Sequence, residues 1–284
     1  MTPIAFLGTG LLGSGFAEAA CKRGDAVTVW NRTASKAAPL AAFGARLAAS
    51  PADAVRGAER VHLVLQADDS VDEVIAALRP GLPPGAIILD HTTTQPARTA
   101  ERAARLAAEG VHYLHCPVFI GPAAAREAKG IIMVAGPAAL WERARPALAR
   151  QAERVEYLGE RPDLAAVYKL VGNCLLLAIT GVVSDAFAVA AGAGVSAPDA
   201  IKLLDFFNPG GVVQGRGRKM AVGDYTPSFE LTMARKDVRL MIETAGALPL
   251  ATLPGVAARM DAMIEAGYGD RDMGVMSAPI VKPA

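Results

Sequence analysis

Short apolar runs recur along the first half of the chain and are separated by stretches with helical spacing. The runs cover residues 4–7, 26–30, 61–65, 86–89, 111–114 and 131–135, and the helical stretches include 11–23, 97–109 and 140–151. Near-continuous apolar runs of this length are typical of strands buried on both faces of a sheet. The alternation therefore predicts an α/β fold with a doubly wound, mainly parallel sheet.

The pattern changes after about Tyr157. Residues 159–163 form a turn signal, and no strand alternation follows it. Helical stretches follow instead, broken at residues 192–198, 208–211 and 248–249. We therefore predict a sheet-containing domain over residues 1–162 and an all-helical domain over residues 163–284, joined by a long interdomain helix over residues 167–195.

This predicted helix is long enough and apolar enough to cross a bilayer. Lys169, Asn173 and Asp185 interrupt its apolar run, and no belt of aromatic residues flanks it. Because charged side chains are costly inside lipid, we interpret the segment as a helix buried inside a protein and not as a membrane span.

Composition excludes several classes of protein. Apolar residues make up 52% of the chain and charged residues 20%, which excludes an intrinsically disordered chain. The formal net charge of +1 gives no electrostatic reason to expect nucleic acid or an acidic membrane as a partner.

The cysteines and histidines do not have the spacing of disulfide or metal sites. The residues concerned are Cys21, Cys116, Cys174, His62, His91, His112 and His115. We therefore expect no disulfide framework and no metal. The first residues lack the basic flank of a signal peptide, so we expect a cytoplasmic protein.

A glycine-rich segment follows the first predicted strand and opens the first predicted helix. It reads Gly8, Thr9, Gly10, Leu11, Leu12 and Gly13. In a GxGxxG motif the first glycine permits a tight turn, the second lets the backbone approach a pyrophosphate, and the third lets helix and strand pack closely. The helix N-terminus then faces the phosphates, so the segment predicts a Rossmann-type dinucleotide site.

The second predicted strand ends in Asn31, Arg32 and Thr33. An NAD site usually carries a carboxylate here, which binds the ribose 2′-hydroxyl. A neutral residue followed by an arginine instead suits a 2′-phosphate, because the guanidinium pairs with it. We therefore predict that NADP(H) is preferred over NAD(H), unless Arg32 is an ordinary solvated arginine.

Lys169 and Asn173 lie four residues apart, on one face of the predicted long helix. A buried ammonium is costly, so a lysine in an apolar helix calls for an explanation. One explanation is an active site in which Lys169 exchanges a proton with a substrate oxygen that Asn173 orients. The other is a lysine that extends to solvent, and the spacing alone does not decide between them.

Taken in chain order, the motifs resemble the β-hydroxyacid dehydrogenase family and, more distantly, 6-phosphogluconate dehydrogenase and the imine reductases. The glycine segment with Asn31–Thr33 is the first of five matching blocks. Leu65 matches the family's Leu-Pro, with Gln66 in place of the proline. Residues 90–96 resemble an Asp-x-Ser-Thr-x-x-Pro loop in which Thr93 is the matching threonine. The last two blocks are Lys169 to Asn173 and the pair Lys236 and Asp237.

The resemblance implies the roles of these residues. Leu65, Thr93 and Lys236 would contact the cofactor, with Thr93 at the nicotinamide ribose. Lys169 would be the general acid and base, with Asn173 beside it. The family also assembles through its helical half, which implies a homodimer or homotetramer.

One block departs from the family. Residues 115–121 stand where the family has Asp-Ala-Pro-Val-Ser-Gly-Gly, which implies that Val118, Phe119, Ile120 and Gly121 bind the substrate. The family's serine and first glycine help to hold a substrate carboxylate, whereas Phe119 and Ile120 offer neither a hydroxyl nor the same backbone approach. We therefore expect a bulkier or more apolar substrate.

Three functions follow from these observations. The leading hypothesis is an NADP(H)-dependent oxidoreductase that transfers a hydride between nicotinamide and a small hydroxy acid or aldehyde of the semialdehyde or glyoxylate type. An imine reductase is the second, which Lys169 disfavours and Phe119 keeps open. The third is a protein that binds NADPH without turnover.

Overall fold

The computed structural model describes residues 3–281. The chain divides into two compact units, and the division falls between Asn173 and Cys174. This point lies inside the long helix α7, Leu164–Gly192.

The first unit contains a six-stranded parallel sheet. Its strands are β1 Pro3–Leu7, β2 Ala26–Trp30, β3 Arg46–Leu47, β4 Arg60–Leu63, β5 Ile87–Asp90 and β6 His112–His115. They lie in the order β3-β2-β1-β4-β5-β6, which is the order of a doubly wound dinucleotide-binding sheet. The predicted fold class is confirmed, although the two-residue β3 is too short to leave an apolar run in the sequence.

Helices connect the strands of this unit. They are α1 Leu11–Lys22, α2 Pro51–Val55, α3 Asp68–Leu78, α4 Pro96–Ala108, α5 Pro122–Arg126 and α6 Ala138–Leu148. Side chains alternate between the two faces of each strand, so both faces can be buried. In β1, Ile4 and Phe6 belong to one core cluster and Ala5 and Leu7 to another. This burial on both sides explains the near-continuous apolar runs.

A second, three-stranded sheet also belongs to the first unit. It consists of β7 Val118–Phe119, β8 Ile131–Val134 and β9 Arg154–Tyr157, with β7 antiparallel to β8. The run at residues 131–135 forms a strand as predicted, but this strand lies outside the large sheet. It pairs with the short β7 because the segment between them folds back through Gly130, which has a φ of +94°.

The second unit is helical, as predicted. Beside the end of α7 it contains α8 Ala197–Ala200, α9 Pro209–Ala221, α10 Leu231–Ala245 and α11 Leu253–Glu265. Helices α10 and α11 share a core in which Leu231, Val238, Met260 and Met263 are buried. The segment after α11 adds Val275, which is fully buried in the same core.

Helix α7 is long and apolar enough to cross a membrane, with a mean hydropathy of 2.1 over its most apolar window. Only 6% of that window is buried in the single chain, so the chain alone does not provide the burial that the sequence predicts. Its Asp185 is nevertheless 2% exposed and accepts hydrogen bonds from the backbone N–H groups of Ala251, Thr252 and Leu253. This carboxylate is therefore satisfied by protein groups.

Candidate active site

The glycine segment forms a tight turn between β1 and α1. Gly8 has a φ of +98°, and a Cβ atom there would lie 2.2 Å from the carbonyl oxygen of Val64. A Cβ on Gly13 would lie 2.0 Å from the carbonyl oxygen of Gly8. Neither position can carry a side chain without moving the backbone. A Cβ on Gly10, by contrast, would meet no atom within 4 Å.

A cavity of about 710 Å³ opens beside this turn. Ten of the predicted cofactor-binding residues line it: Gly8, Gly10, Leu11, Leu12, Gly13, Asn31, Arg32, Thr33, Leu65 and Thr93. Gly10 lines this cavity, and no atom occupies the position that a Cβ on Gly10 would approach. The structure thus gathers into one cavity residues that lie up to 85 positions apart in the sequence.

Two predicted residues lie elsewhere. Thr9 is 2% exposed and does not line the cavity, and its hydroxyl has no hydrogen-bond partner in the described chain. Lys236 belongs to the second unit, on α10, where its ammonium lies 2.9 Å from a carboxylate oxygen of Asp237.

The start of α1 suits an anion. Gly10 is the N-cap and is extended, and no side chain caps the helix. The first N–H groups of a helix lack partners within it and carry partial positive charge, so a phosphate group can accept from them. The open Gly10, the uncapped helix and the neighbouring cavity fit a dinucleotide pyrophosphate.

Asn31 braces the glycine turn. Its side-chain oxygen accepts from the N–H of Thr9 at 3.0 Å, and its side-chain nitrogen donates to the carbonyl oxygen of Thr33 at 2.9 Å. The sequence predicts Asn31 at the cofactor but does not predict these two bonds. They hold the glycine turn against the segment that carries Arg32.

Two cationic side chains, those of Arg32 and Lys36, line the cavity. Arg32 is exposed and has no hydrogen bond or ion pair to another residue of the described chain, so its guanidinium is free to bind a ligand. Lys36 also lines the cavity, and the sequence analysis missed it. Its position four residues after Arg32, at the end of the short helical turn over residues 34–36, is the signal that the sequence offers. Glu73 of α3 also lines this cavity and carries a negative charge into it.

The loop after β5 is held so that one threonine projects. The Thr92 hydroxyl accepts from the N–H of Leu65 at 3.0 Å, and the Thr94 hydroxyl bonds to Thr99 at 2.7 Å. His115 donates from Nε2 to the carbonyl oxygen of Thr92 at 2.9 Å. Thr92 and Thr94 are buried, whereas Thr93 between them is exposed and lines the cavity.

A buried histidine pair supports the same loop. His91 Nδ1 lies 2.8 Å from the carbonyl oxygen of Cys116, which can only accept, so Nδ1 carries the proton. His91 Nε2 therefore accepts from His62 Nδ1 at 2.9 Å. Burial lowers the pKa of His91 to about 4, so this ring is neutral at physiological pH. The spacing of these histidines along the chain argues against a metal site but does not reveal this pair, which forms because His62 lies on β4 and His91 directly follows the neighbouring strand β5.

Lys169 lies in the first turns of α7 and is partly buried. Its ammonium stands over the ring of Phe119, 4.1 Å from the ring centroid. It has no carboxylate or hydrogen-bond partner among the described residues, and burial lowers its pKa below the usual value of 10.5. An unpaired, partly buried lysine of this kind can exchange a proton with a bound molecule.

Asn173 follows one turn later on α7 and is partly buried. Between these two residues is Gly172, where a Cβ would lie 2.2 Å from Cζ of Phe119. The ring therefore lies where the side chain of any residue larger than glycine at position 172 would be. This contact joins positions far apart in sequence, and no local pattern predicts it.

The other predicted substrate residues differ in exposure. Val118 is 5% exposed and belongs to the core. Ile120 is partly buried against the same core, and Gly121 is exposed at the N-cap of α5. Of the four residues, Phe119 is the one in contact with Lys169.

Comparison with known sequences defines the class. A family profile described as the NAD binding domain of 6-phosphogluconate dehydrogenase matches residues 3–159. A second, described as the NAD-binding of NADP-dependent 3-hydroxyisobutyrate dehydrogenase, matches residues 164–280. The protein is an NAD(P)-dependent oxidoreductase acting on a CH–OH group. The chain belongs to the β-hydroxyacid dehydrogenase family, of the 3-hydroxyisobutyrate dehydrogenase type, which confirms the resemblance seen in the sequence.

Curated relatives match over almost the full chain. An uncharacterized oxidoreductase of Bacillus subtilis, YfjR, is 30% identical over 277 residues, which cover 95% of this chain and 96% of the relative. The glyoxylate/succinic semialdehyde reductase 1 of Arabidopsis thaliana is 27% identical over 285 residues, which cover 95% of both chains.

Solved structures share the fold. An imine reductase of Streptomyces aurantiacus superposes with a TM-score of 0.89 over 99% of this chain and 100% of that chain, at 24% identity. At this identity the likeness establishes the architecture alone.

Proposed function

We propose that this protein is an NADP(H)-dependent reductase of a small aldehyde or of the matching hydroxy acid in reverse, with Lys169 as general acid and base. The observation that carries the proposal is the partly buried Lys169 ammonium without an anionic partner in the described chain. Burying an ammonium without an anionic partner is unfavourable in free energy, and such groups are found mainly where they act on a ligand. The Arabidopsis relative, which is named for reduction of glyoxylate and succinic semialdehyde, supports the same chemistry.

The nicotinamide cofactor supplies the hydride in the reductive direction and accepts it in the oxidative one. The protein's part is to manage the oxygen of the substrate. In reduction, the Lys169 ammonium donates a hydrogen bond to the carbonyl oxygen and then transfers a proton to it as negative charge develops. In oxidation, the neutral amine accepts the hydroxyl proton. The amide of Asn173, on the same helix face, donates to the same oxygen and cannot compete for its proton.

Other residues hold the cofactor in this proposal. The N–H groups at the start of α1 bind the pyrophosphate, and Gly10 leaves room for it. Arg32 and Lys36 bind the 2′-phosphate that distinguishes NADPH from NADH. Thr93 contacts the nicotinamide ribose, and Lys236 is a further cofactor contact.

Replacing Arg32 with alanine is expected to raise the KM for NADPH by roughly 10–100-fold, because a charge-assisted pair with the 2′-phosphate is lost. The KM for NADH should change little, since that cofactor lacks the phosphate. Steady-state kinetics with both cofactors measure the effect. Arg145→Ala is the matched control, because Arg145 is an exposed arginine of α6 that does not line the cavity. An equal rise for both cofactors would refute the assignment.

An imine reductase is the second candidate, and the apolar ring of Phe119 beside Lys169 favours it. The two functions separate in one assay, in which NADPH consumption is followed with an aldehyde panel and with a cyclic imine. Turnover of aldehydes supports the leading proposal, and turnover of the imine alone supports the second. Tight NADPH binding with no turnover of either would identify a non-catalytic NADPH-binding protein.

We further propose that the protein is a soluble cytoplasmic homodimer or homotetramer in which α7 is covered by a second copy. Leu175, Leu176, Leu177 and Ile179 are each about half exposed or more in the single chain, which is costly in water. A membrane does not suit the same helix, because Asp185 bonds to the backbone of the second unit.

A charge on this surface should disrupt assembly. Leu176→Glu is expected to weaken self-association by at least about tenfold, because the carboxylate would be buried without a partner. Sedimentation velocity over a concentration series measures this. Leu47→Glu, at an exposed leucine of β3, is the control and should leave assembly unchanged. A wild-type protein that sediments as a monomer at all concentrations would contradict the proposal.

A further inference from the structure

The ring of Phe119 is held firmly against α7. Its backbone pairs with Ile131 in the small sheet, and its side chain packs on a cluster that includes Met133 and Ala165. Its Cζ atom fills the space that Gly172 leaves open. The ring is therefore fixed from its own strand, from the cluster and from the helix that carries Lys169.

This placement gives the Lys169 ammonium an apolar neighbour. An aromatic face attracts a cation electrostatically but offers it no hydrogen-bond acceptor of the usual kind. At 4.1 Å from the centroid, the ring covers one side of the ammonium without neutralising it. The ammonium has three N–H donors, and those that point away from the ring stay available for oxygen acceptors.

We propose that Phe119 sets the substrate class of this enzyme and selects uncharged carbonyl compounds over short carbonyl compounds that carry a carboxylate. The inference rests on the proposed function, since it concerns the molecule that Lys169 protonates.

The physical reason is competition for one cation. A substrate carboxylate near Lys169 has two options. It can form an ion pair with the ammonium, which stabilises the charged form and makes it a weaker proton donor to the carbonyl oxygen. Otherwise it lies against the Phe119 ring, which itself offers no hydrogen-bond donor, and this is unfavourable for a charged group. An uncharged aldehyde avoids both, because its carbonyl oxygen is its sole strong acceptor.

The inference sets this chain apart from a relative. The Arabidopsis enzyme is named for glyoxylate and succinic semialdehyde, which both contain a carboxylate. The present chain is expected to prefer an aldehyde of similar length with a methyl end, such as pentanal.

The test compares kcat/KM for pentanal and for succinic semialdehyde with saturating NADPH. The wild-type enzyme should favour pentanal by a factor on the order of ten or more. Phe119→Ser removes the ring and adds a hydroxyl donor, and it should reduce this preference at least about tenfold. Phe43→Ser is the matched control, because Phe43 is also a phenylalanine whose ring lies beside a lysine, 5.2 Å from the Lys22 ammonium. It should keep the wild-type preference.

The results distinguish the role of Phe119 from the reductase activity itself. Equal kcat/KM for the two aldehydes, or a preference for succinic semialdehyde, would overturn the role of Phe119 and leave the reductase intact. An unchanged preference in a folded Phe119→Ser variant would overturn it as well. If that variant fails to fold, the wild-type preference alone decides. Absence of turnover with both aldehydes would instead contradict the proposed function.

Discussion

Replacing Lys169 with methionine is expected to lower kcat for aldehyde reduction by a factor of about 10²–10⁴, the usual contribution of a positioned proton donor. Methionine keeps the apolar stem and removes the ammonium, so the packing on Phe119 is largely retained. The affinity for NADPH, measured by fluorescence titration, should stay near the wild-type value. A loss in kcat with cofactor binding unchanged locates the defect in the chemical step.

The pH dependence provides an independent readout of the same group. In reduction the ammonium is the active form, so kcat/KM should fall as the pH rises through the pKa of Lys169. Burial lowers that pKa, so the decline should begin below the ordinary lysine value of 10.5. Lys129→Met is the control, because Lys129 is an exposed lysine paired with Glu127. If Lys169→Met retained the wild-type kcat, the acid–base assignment would be wrong.

Replacing Asp185 with alanine is expected to lower the free energy of unfolding by roughly 3–5 kcal/mol. The carboxylate is buried and accepts from the Ala251, Thr252 and Leu253 N–H groups at 2.6–2.9 Å. It also accepts from the Thr252 hydroxyl at 2.6 Å. Removing it leaves several buried donors without a partner, which costs more than the lost bonds contribute. Urea unfolding followed by circular dichroism measures the change.

Asp270→Ala supplies the comparison, because the Asp270 side chain is 81% exposed and lies in the same unit. Its loss should alter stability by less than about 0.5 kcal/mol. Two variants with equal losses would show that Asp185 does not stabilise α7 in the way these contacts indicate.

The same carboxylate makes stability depend on acid pH. Its hydrogen bonds hold the pKa of Asp185 near 2, below the ordinary value of 3.8. The folded state therefore binds the proton more weakly than the unfolded state. The stabilisation, about 2 kcal/mol, is complete above pH 4 and is lost as the pH falls from about 4 through 2. In Asp185→Asn this part of the acid dependence should be absent.

The sheet and the glycine turn could be predicted because their causes are local. Strands buried on both faces are mostly apolar, and β1, β2 and β4 to β6 each overlap a largely apolar run in the sequence. The turn needs glycine at Gly8 and Gly13 because the backbone there excludes a Cβ. The short strands β3 and β7 contain two residues each and carry no such pattern.

The missed parts of the site depend on contacts between distant positions. Strand β9 alternates charged residues with apolar ones, and its pairing with β8 could not be inferred from either segment alone. The contact of Phe119 with Lys169 joins a two-residue strand to a helix that begins 45 positions later. The motifs predict that Phe119 and Lys169 both belong to the site. The position of the ring over the ammonium depends on the three-dimensional fold.

The exposure of α7 has a different origin. Its composition predicts burial, and a sequence cannot distinguish burial within one chain from burial between copies. Only 6% of its most apolar window is buried in the single chain, which motivates the assembly proposed above.

The most direct test of the whole account is a crystal structure of the protein with NADP⁺ and a bound carbonyl compound. We expect the Lys169 Nζ within about 2.6–3.2 Å of the substrate oxygen, with the reacting carbon facing the nicotinamide ring. A substrate oxygen bound elsewhere, with the Lys169 amine turned toward bulk water in every protomer, would contradict the mechanism.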